Sequence, residues 1–148
     1  MFNSILVVCV GNICRSPTGE RLLQAHLPNK TVASAGIATE KSRLTGKAAD
    51  STAAEVALAH GVTLEGHAAQ QLTAELVRHY DLILVMEKGH IEAVCQIAPE
   101  VRGKTMLFGQ WIGQVDIPDP YRRSREAFDH AWRLIDNAAA EWAKKLGR

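Results

Sequence analysis

The chain has 148 residues, 47% of them hydrophobic. That is enough for one core of ordinary α/β size and too apolar for a disordered segment. Lys and Arg number 17 against 16 Asp and Glu, a formal net charge of +1, which argues against bulk nucleic-acid binding and leaves only local basic patches. No segment approaches the roughly 20 apolar residues of a membrane span, and the N-terminal apolar run lacks the basic leader and cleavage site of a signal peptide.

Three cysteines, Cys9, Cys14 and Cys95, are an odd and sparse set, which suits a reduced cytoplasmic protein without a disulfide framework. No internal repeat, low-complexity tract or linker interrupts the chain, so residues 1–148 are expected to form a single domain. With no apolar stripe left over, a monomer is expected.

In chain order, Ser4 to Cys9 reads as a fully buried strand of Ile, Leu and Val. Ser16 to His26 reads as a helix, with Ser16 as N-cap and Pro17 in the first turn. Thr31 to Ser34 is a short second strand. Ile37 to Gly46 has no period and reads as a loop. Lys47 to His60 is Ala-rich and helical, stopped by Gly61. Leu82 to Met86 repeats the opening pattern and leads into a helix near Gly89 to Gln96. GKTMLFG holds a fourth strand, and DIPDPYRRS is a loop punctuated by proline. From Arg125 to Leu146, Phe128, Ala131, Ile135, Ala138, Trp142 and Leu146 recur on one helical face. Strands alternating with helices favour a parallel sheet covered on both faces. Sites in such sheets lie at the carboxyl ends of strands, and the first such end is at Cys9.

The stretch CVGNICRSP joins that strand to that helix. A tight wrap before a helix turns backbone N–H groups inward and forms an anion-binding nest. Gly11 and Asn12 tolerate the backbone angles such a wrap needs. Arg15 can grip two oxygens of a phosphate, with Cys9 at the base facing the phosphorus. The inward amides, Arg15 and the helix N-terminus favour the thiolate of Cys9, and the Ser16 hydroxyl can donate to it. Neither the Gly-Lys-Ser/Thr ending of a nucleotide loop nor a GxGxxG fingerprint is present. A thiolate attacking a phosphate ester needs a proton donor for the departing oxygen. Asp119, held between Pro118 and Pro120, is the candidate.

These motifs in order, CVGNICRSP, the SAG at Ser34 to Gly36, YDLILVME and IPDPYRRS, resemble the low-molecular-weight protein tyrosine phosphatase family over nearly the whole chain. The resemblance is to the bacterial branch that works with tyrosine autokinases of capsule and exopolysaccharide synthesis. It implies a four-stranded parallel sheet of order 2-1-3-4 flanked by helices. It implies Cys9 as nucleophile, Arg15 as phosphate clamp, Asp119 as general acid and Ser16 as thiolate partner. Val10, Gly11, Asn12, Ile13 and Cys14 complete the phosphate loop, supported through hydrogen bonds by Asn12, Ser34 and His67. It implies no metal and no organic cofactor, and a phosphotyrosine protein as partner, a membrane tyrosine autokinase being the family expectation.

The chain departs from the family pattern at Gln70, where Arg is frequent, and at Gly19, where Ala is common. Arg122 stands where animal members carry a second tyrosine, and the 37–46 segment lacks their cleft aromatic. Tyr121, Val10 and Ile13 are expected to line a slot for a flat ring, too deep for phosphoserine to bring its phosphorus to Cys9. Arg122, Arg123 and Arg125 either attract an acidic phosphopeptide or form a solvated helix entrance. Cys14 is either a partner for oxidised Cys9 or an inert buried thiol. Cys95, on a helical stretch, is expected in the core. Apart from His67, the histidines His26, His60, His79, His90 and His130 read as surface or helix-end residues. Arsenate reduction would need a resolving cysteine pair in mid-chain, where Cys95 stands alone. A sugar-uptake phosphocarrier would have no use for Arg15 and Asp119.

Overall fold

Aliphatic residues alternate between two cores along the central strands. The computed structural model describes residues 2–147. Strand β1 (Ser4–Cys9) lies between β2 (Thr31–Gly36) and β3 (Leu82–Val85), and β4 (Thr105–Leu107) adds beyond β3. All pairings are parallel, and the order is β2-β1-β3-β4. Ile5, Val7 and Cys9 face one core, with Leu22, Val56, Trp132 and Ile135. Leu6 and Val8 face the other, with Val77, Val94 and Val101. A strand buried on both faces needs apolar residues at every position, which is why its sequence reads as a continuous run.

Among the described residues, five α-helices cover the sheet: α1 (Arg15–His26), α2 (Ser51–Ala59), α3 (Ala74–Arg78), α4 (Lys88–Ile97) and α5 (Arg125–Leu146). The buried face of α5 contains five of the six residues named from its periodicity, together with Trp132 and Ala139; Leu146 is half-buried at the end. Trp142 also donates its indole N–H to the Leu107 carbonyl at 3.2 Å, and Trp132 stacks on His60 with ring centroids 4.6 Å apart. Cys95 is buried on α4.

Two local expectations change, and one element is new. Ser16 is not the N-cap of α1: the helix begins at Arg15 after Cys14, with no side-chain cap, because the Ser16 hydroxyl is engaged at the sulfur of Cys9. The second helix starts at Ser51 rather than Lys47, because the Asp50 carboxylate accepts from the Thr52 and Ala53 amides at 3.0 and 3.1 Å. Lys47 and Ala49 precede that cap, and the Lys47 carbonyl accepts from the Ala69 amide instead. The short helix α3 was not read from the pattern; Thr73 caps it by accepting from the Leu76 amide at 3.1 Å.

Glycine lets the elements meet closely at two places. A Cβ on Gly19 would sit 3.1 Å from Phe108 and Val7, so the residue that lowers the propensity of α1 also brings the helix onto the sheet. A Cβ on Gly36, the last residue of β2, would lie 2.6 Å from the Val10 carbonyl oxygen and 2.5 Å from Thr39. Gly36→Ala is therefore expected to lower stability by about 1–3 kcal/mol, read as a lower urea midpoint with unchanged slope; an unchanged midpoint would contradict the packing described.

Candidate active site

Between the end of β1 and the start of α1, residues 10–14 wrap around the sulfur of Cys9. Asn12 makes the wrap possible: its φ of 56° is left-handed, and it is fully buried. Each of its polar groups is used. Its amide N–H donates to Cys9 Sγ at 3.2 Å. Its Nδ2 donates to Ser16 Oγ at 2.7 Å, and its Oδ1 accepts from the Gln70 amide at 3.0 Å. Its carbonyl accepts from His67 Nε2 at 2.5 Å, which fixes the proton of His67 on that nitrogen. Because Asn12 donates to Ser16, the Ser16 hydroxyl proton is free to point at Cys9 Sγ, 2.9 Å away. Among the described residues, the amides of Gly11, Ile13 and Cys14 donate to no protein group, as an anion-binding nest requires.

Arg15 is 2% exposed. Its Nη1 donates to Glu87 Oε2 at 2.5 Å and to the Ile117 carbonyl at 2.8 Å. Its Nη2 lies 3.8 Å from Asp119 Oδ2. Three chain segments thus fix a guanidinium beside the loop: α1, the end of β3 and the proline loop. Asp119 is half-exposed, and its Oδ1 accepts from the Tyr121 amide at 3.0 Å, an Asx turn that orients the carboxyl.

A pocket of about 300 Å³ opens above the sulfur, with residues 9–15, Ser42, Leu44, Asp119, Tyr121 and Arg122 around it. Val10 and Tyr121 are each 36% exposed at its rim, whereas Ile13 is buried. Leu44 comes from the 37–46 segment, and a Cβ on Gly11 would lie 2.8 Å from it. That segment is tied down by Gln71, whose Nε2 donates to the Ile37 carbonyl at 2.7 Å and whose Oε1 accepts from the Glu40 amide at 3.0 Å.

Every residue named from the sequence for the site lies in or around this pocket or in the network behind it. Ser34 joins through its main chain: its carbonyl accepts from Gln70 Nε2 at 2.9 Å, while its hydroxyl donates to Glu20 at 2.6 Å and turns away from the loop. Gln70 takes a supporting part of its own, linking Ser34 to Asn12. Cys14 is buried, and burial, with Asp50 and Cys9 nearby, pushes its thiol pKa far up. The basic run divides: Arg125 lies 3.8 Å from both Glu55 and Asp129, while Arg122 lies over the Tyr121 ring.

Sequence reasoning missed Glu87, Gln71 and the Ile117 carbonyl. Glu87 had a usable signal, since it follows the carboxyl end of β3, the strand beside β1. His90, read as a surface or helix-end residue, lies in the first turn of α4 and is buried. Its Nε2 is 3.7 Å from Glu87 Oε2, and its Nδ1 has no hydrogen-bond partner among the described residues.

The sequence and fold have clear relatives. The family model for the low molecular weight phosphotyrosine protein phosphatases matches residues 4–148. Etp of Escherichia coli K12, named a low molecular weight protein-tyrosine-phosphatase, is 61% identical over 147 residues, covering 99% of this chain and 97% of Etp. AmsI of Erwinia amylovora, named a probable enzyme of that kind, is 59% identical over 148 residues, the whole of both chains. Wzb of Vibrio vulnificus, solved in complex with benzylphosphonate, superimposes with a TM-score of 0.97 at 73% identity, covering 99% of this chain and all of that one. The chain belongs to the low molecular weight phosphotyrosine protein phosphatase family. Its enzyme class is that of the protein-tyrosine phosphatases.

Burial, and then the charge of Arg15, hold the His90 pKa below its ordinary 6.5, against the opposing pull of Glu87, Asp116 and Asp119. The unfolded chain therefore binds this proton more readily than the folded one, and stability falls as pH drops below about 6.5. His90→Asn is expected to flatten the fall in Tm between about pH 7 and pH 5; the same slope in both proteins would contradict a neutral buried imidazole.

Proposed function

We propose that this phosphatase hydrolyses protein phosphotyrosine through a phosphocysteine at Cys9. The observation that carries the reading is the position of Cys9 Sγ at the pocket floor, within reach of the Asn12 amide and the Ser16 hydroxyl. The loop amides of Gly11, Ile13 and Cys14 and the Arg15 guanidinium hold the phosphoryl oxygens. Cys9 Sγ attacks the phosphorus in line, and the bond to the phenolic oxygen breaks. The protonated Asp119 carboxyl passes its proton to that oxygen. Water then attacks the phosphocysteine, Asp119 takes back a proton, and inorganic phosphate and the Cys9 thiolate are released. The Ser16 hydroxyl stabilises the sulfur as it leaves. Cys9, Asp119, substrate and water supply every proton and electron pair, so no metal or organic cofactor is required.

Asn12, His67 and the main chain of Ser34 keep the loop in shape around the phosphate. Tyr121 and Val10 flank the ring of the substrate. Benzylphosphonate, the compound bound by Wzb of Vibrio vulnificus, joins an aromatic ring to a phosphonate and so has the outline of an aryl phosphate. The partner we favour is a membrane tyrosine autokinase of capsule or exopolysaccharide synthesis, met in the cytoplasm by a monomeric single-domain phosphatase. Among the described residues no helix is long and apolar enough to cross a membrane.

Purified protein is expected to hydrolyse p-nitrophenyl phosphate without added metal, with a mildly acidic optimum. Cys9→Ser should abolish turnover without changing the far-UV spectrum or Tm. Asp119→Ala should lower kcat by about 10²–10⁴-fold. Normal turnover in Cys9→Ser, or equal rates on phosphoserine and phosphotyrosine peptides, would sink the reading.

A further inference from the structure

Among the described residues, five of the nine arginines lie within ion-pair distance of a carboxylate. Arg21, Arg78, Arg102 and Arg125 each have an acidic neighbour, and Arg15 holds Glu87. Among the described residues, Arg43, Arg122, Arg123 and Arg133 have none within ion-pair distance. One of these lines the pocket, and a second sits in a segment whose neighbouring residues line it. Arg122 lines it, and Arg43 is exposed between Ser42 and Leu44, which both line it.

The same two residues share a second property. Arg43 has a φ of 60° and Arg122 a φ of 62°, left-handed positions that glycine or asparagine ordinarily takes. The Arg123 amide donates to the Pro120 carbonyl at 2.9 Å, which puts Arg122 at the third position of a tight turn, where glycine is favoured. Among the described residues neither side chain has a hydrogen bond or an ion pair, and Arg122 meets only the Tyr121 ring, so neither arginine is held in place by a buried partner. The surrounding charges have the same sense. Residues 40–47 hold Lys41, Arg43 and Lys47 against Glu40, and residues 119–125 hold Arg122, Arg123 and Arg125 against Asp119, in a chain of almost neutral net charge.

We propose that Arg43 and Arg122 form a cationic rim that selects phosphotyrosine segments carrying Asp or Glu beside the phosphotyrosine. This inference rests on the phosphotyrosine reading above and adds the substrate's neighbouring chemistry. The Arg122 guanidinium lies 5.3 Å from the centroid of the Tyr121 ring, so the residue expected beside the substrate ring also steadies the charge that meets the flanking carboxylate. Both charges are solvated, so the preference is modest and sensitive to salt.

The test compares kcat/KM on two phosphotyrosine peptides that differ only in Glu or Gln on either side of the phosphotyrosine. The wild-type protein is expected to favour the Glu peptide by about 3- to 10-fold, chiefly through KM, with the ratio shrinking as salt is raised. The double variant Arg43→Ala, Arg122→Ala should bring the ratio near unity, Arg122→Lys should keep it above unity, and Arg122→Glu should favour the Gln peptide. A wild-type ratio of one, or a ratio unchanged in the double variant, overturns the rim. If neither peptide is hydrolysed while p-nitrophenyl phosphate is, the phosphotyrosine reading fails and takes the rim with it. Melting curves on each variant separate loss of fold from loss of preference.

Discussion

One buried asparagine holds the site in shape. Asn12 sits in a backbone conformation that costs an ordinary residue about 1–2 kcal/mol, and it offsets that strain by using every polar group it owns. Its amide meets the sulfur of Cys9, its side chain bridges Ser16 and Gln70, and its carbonyl meets His67. Those contacts decide where the neighbouring amides point. They also free the Ser16 hydroxyl proton for the sulfur. The geometry that favours an anion above Cys9 is therefore built into the protein before any substrate arrives, which is where electrostatic catalysis gains most of its effect.

Arg15 is the second fixed charge, and its cost is the opposite one. A buried guanidinium loses its water, and only good partners compensate. Glu87 and the Ile117 carbonyl share Nη1, which leaves the rest of the fork without a protein hydrogen bond among the described residues, with Asp119 alongside Nη2. Cys9 and Cys14 contrast in the same loop. Cys9 has an amide and a hydroxyl on its sulfur. Cys14 has burial and nearby acidic groups that keep its thiol protonated. The two sulfurs differ in their neighbours, not in their exposure.

The sheet was legible because its signal is local. Continuous aliphatic runs at residues 4–9 and 82–85 can be little else than buried strands, and their alternation with amphipathic stretches sets a parallel topology. The strand order came from the family resemblance, and the structure has that order. The start of α2 was misread because alanine content outweighed the capping power of Asp50. Ser16 was misread because a serine before proline looks like a cap, while its actual partner lies seven residues back at Cys9. Short α3 carries too little periodicity to read. Within the site, the loop at residues 9–15 and Asp119 lie on contiguous motifs and could be named from the chain. Glu87 and Gln71 reach it from elements far away in sequence, as does the Ile117 carbonyl, so only folding brings them there.

The account stands on a covalent bond between phosphorus and one sulfur. The most direct measurement stops Asp119→Asn protein during turnover of an aryl phosphate and locates any added phosphoryl group by fragment mass spectrometry. A phosphoryl group on Cys9, absent from Cys14 and lost when water completes the cycle, is the predicted result. Steady turnover with unmodified Cys9 at every time point, or a phosphoryl group carried on another residue, would contradict it.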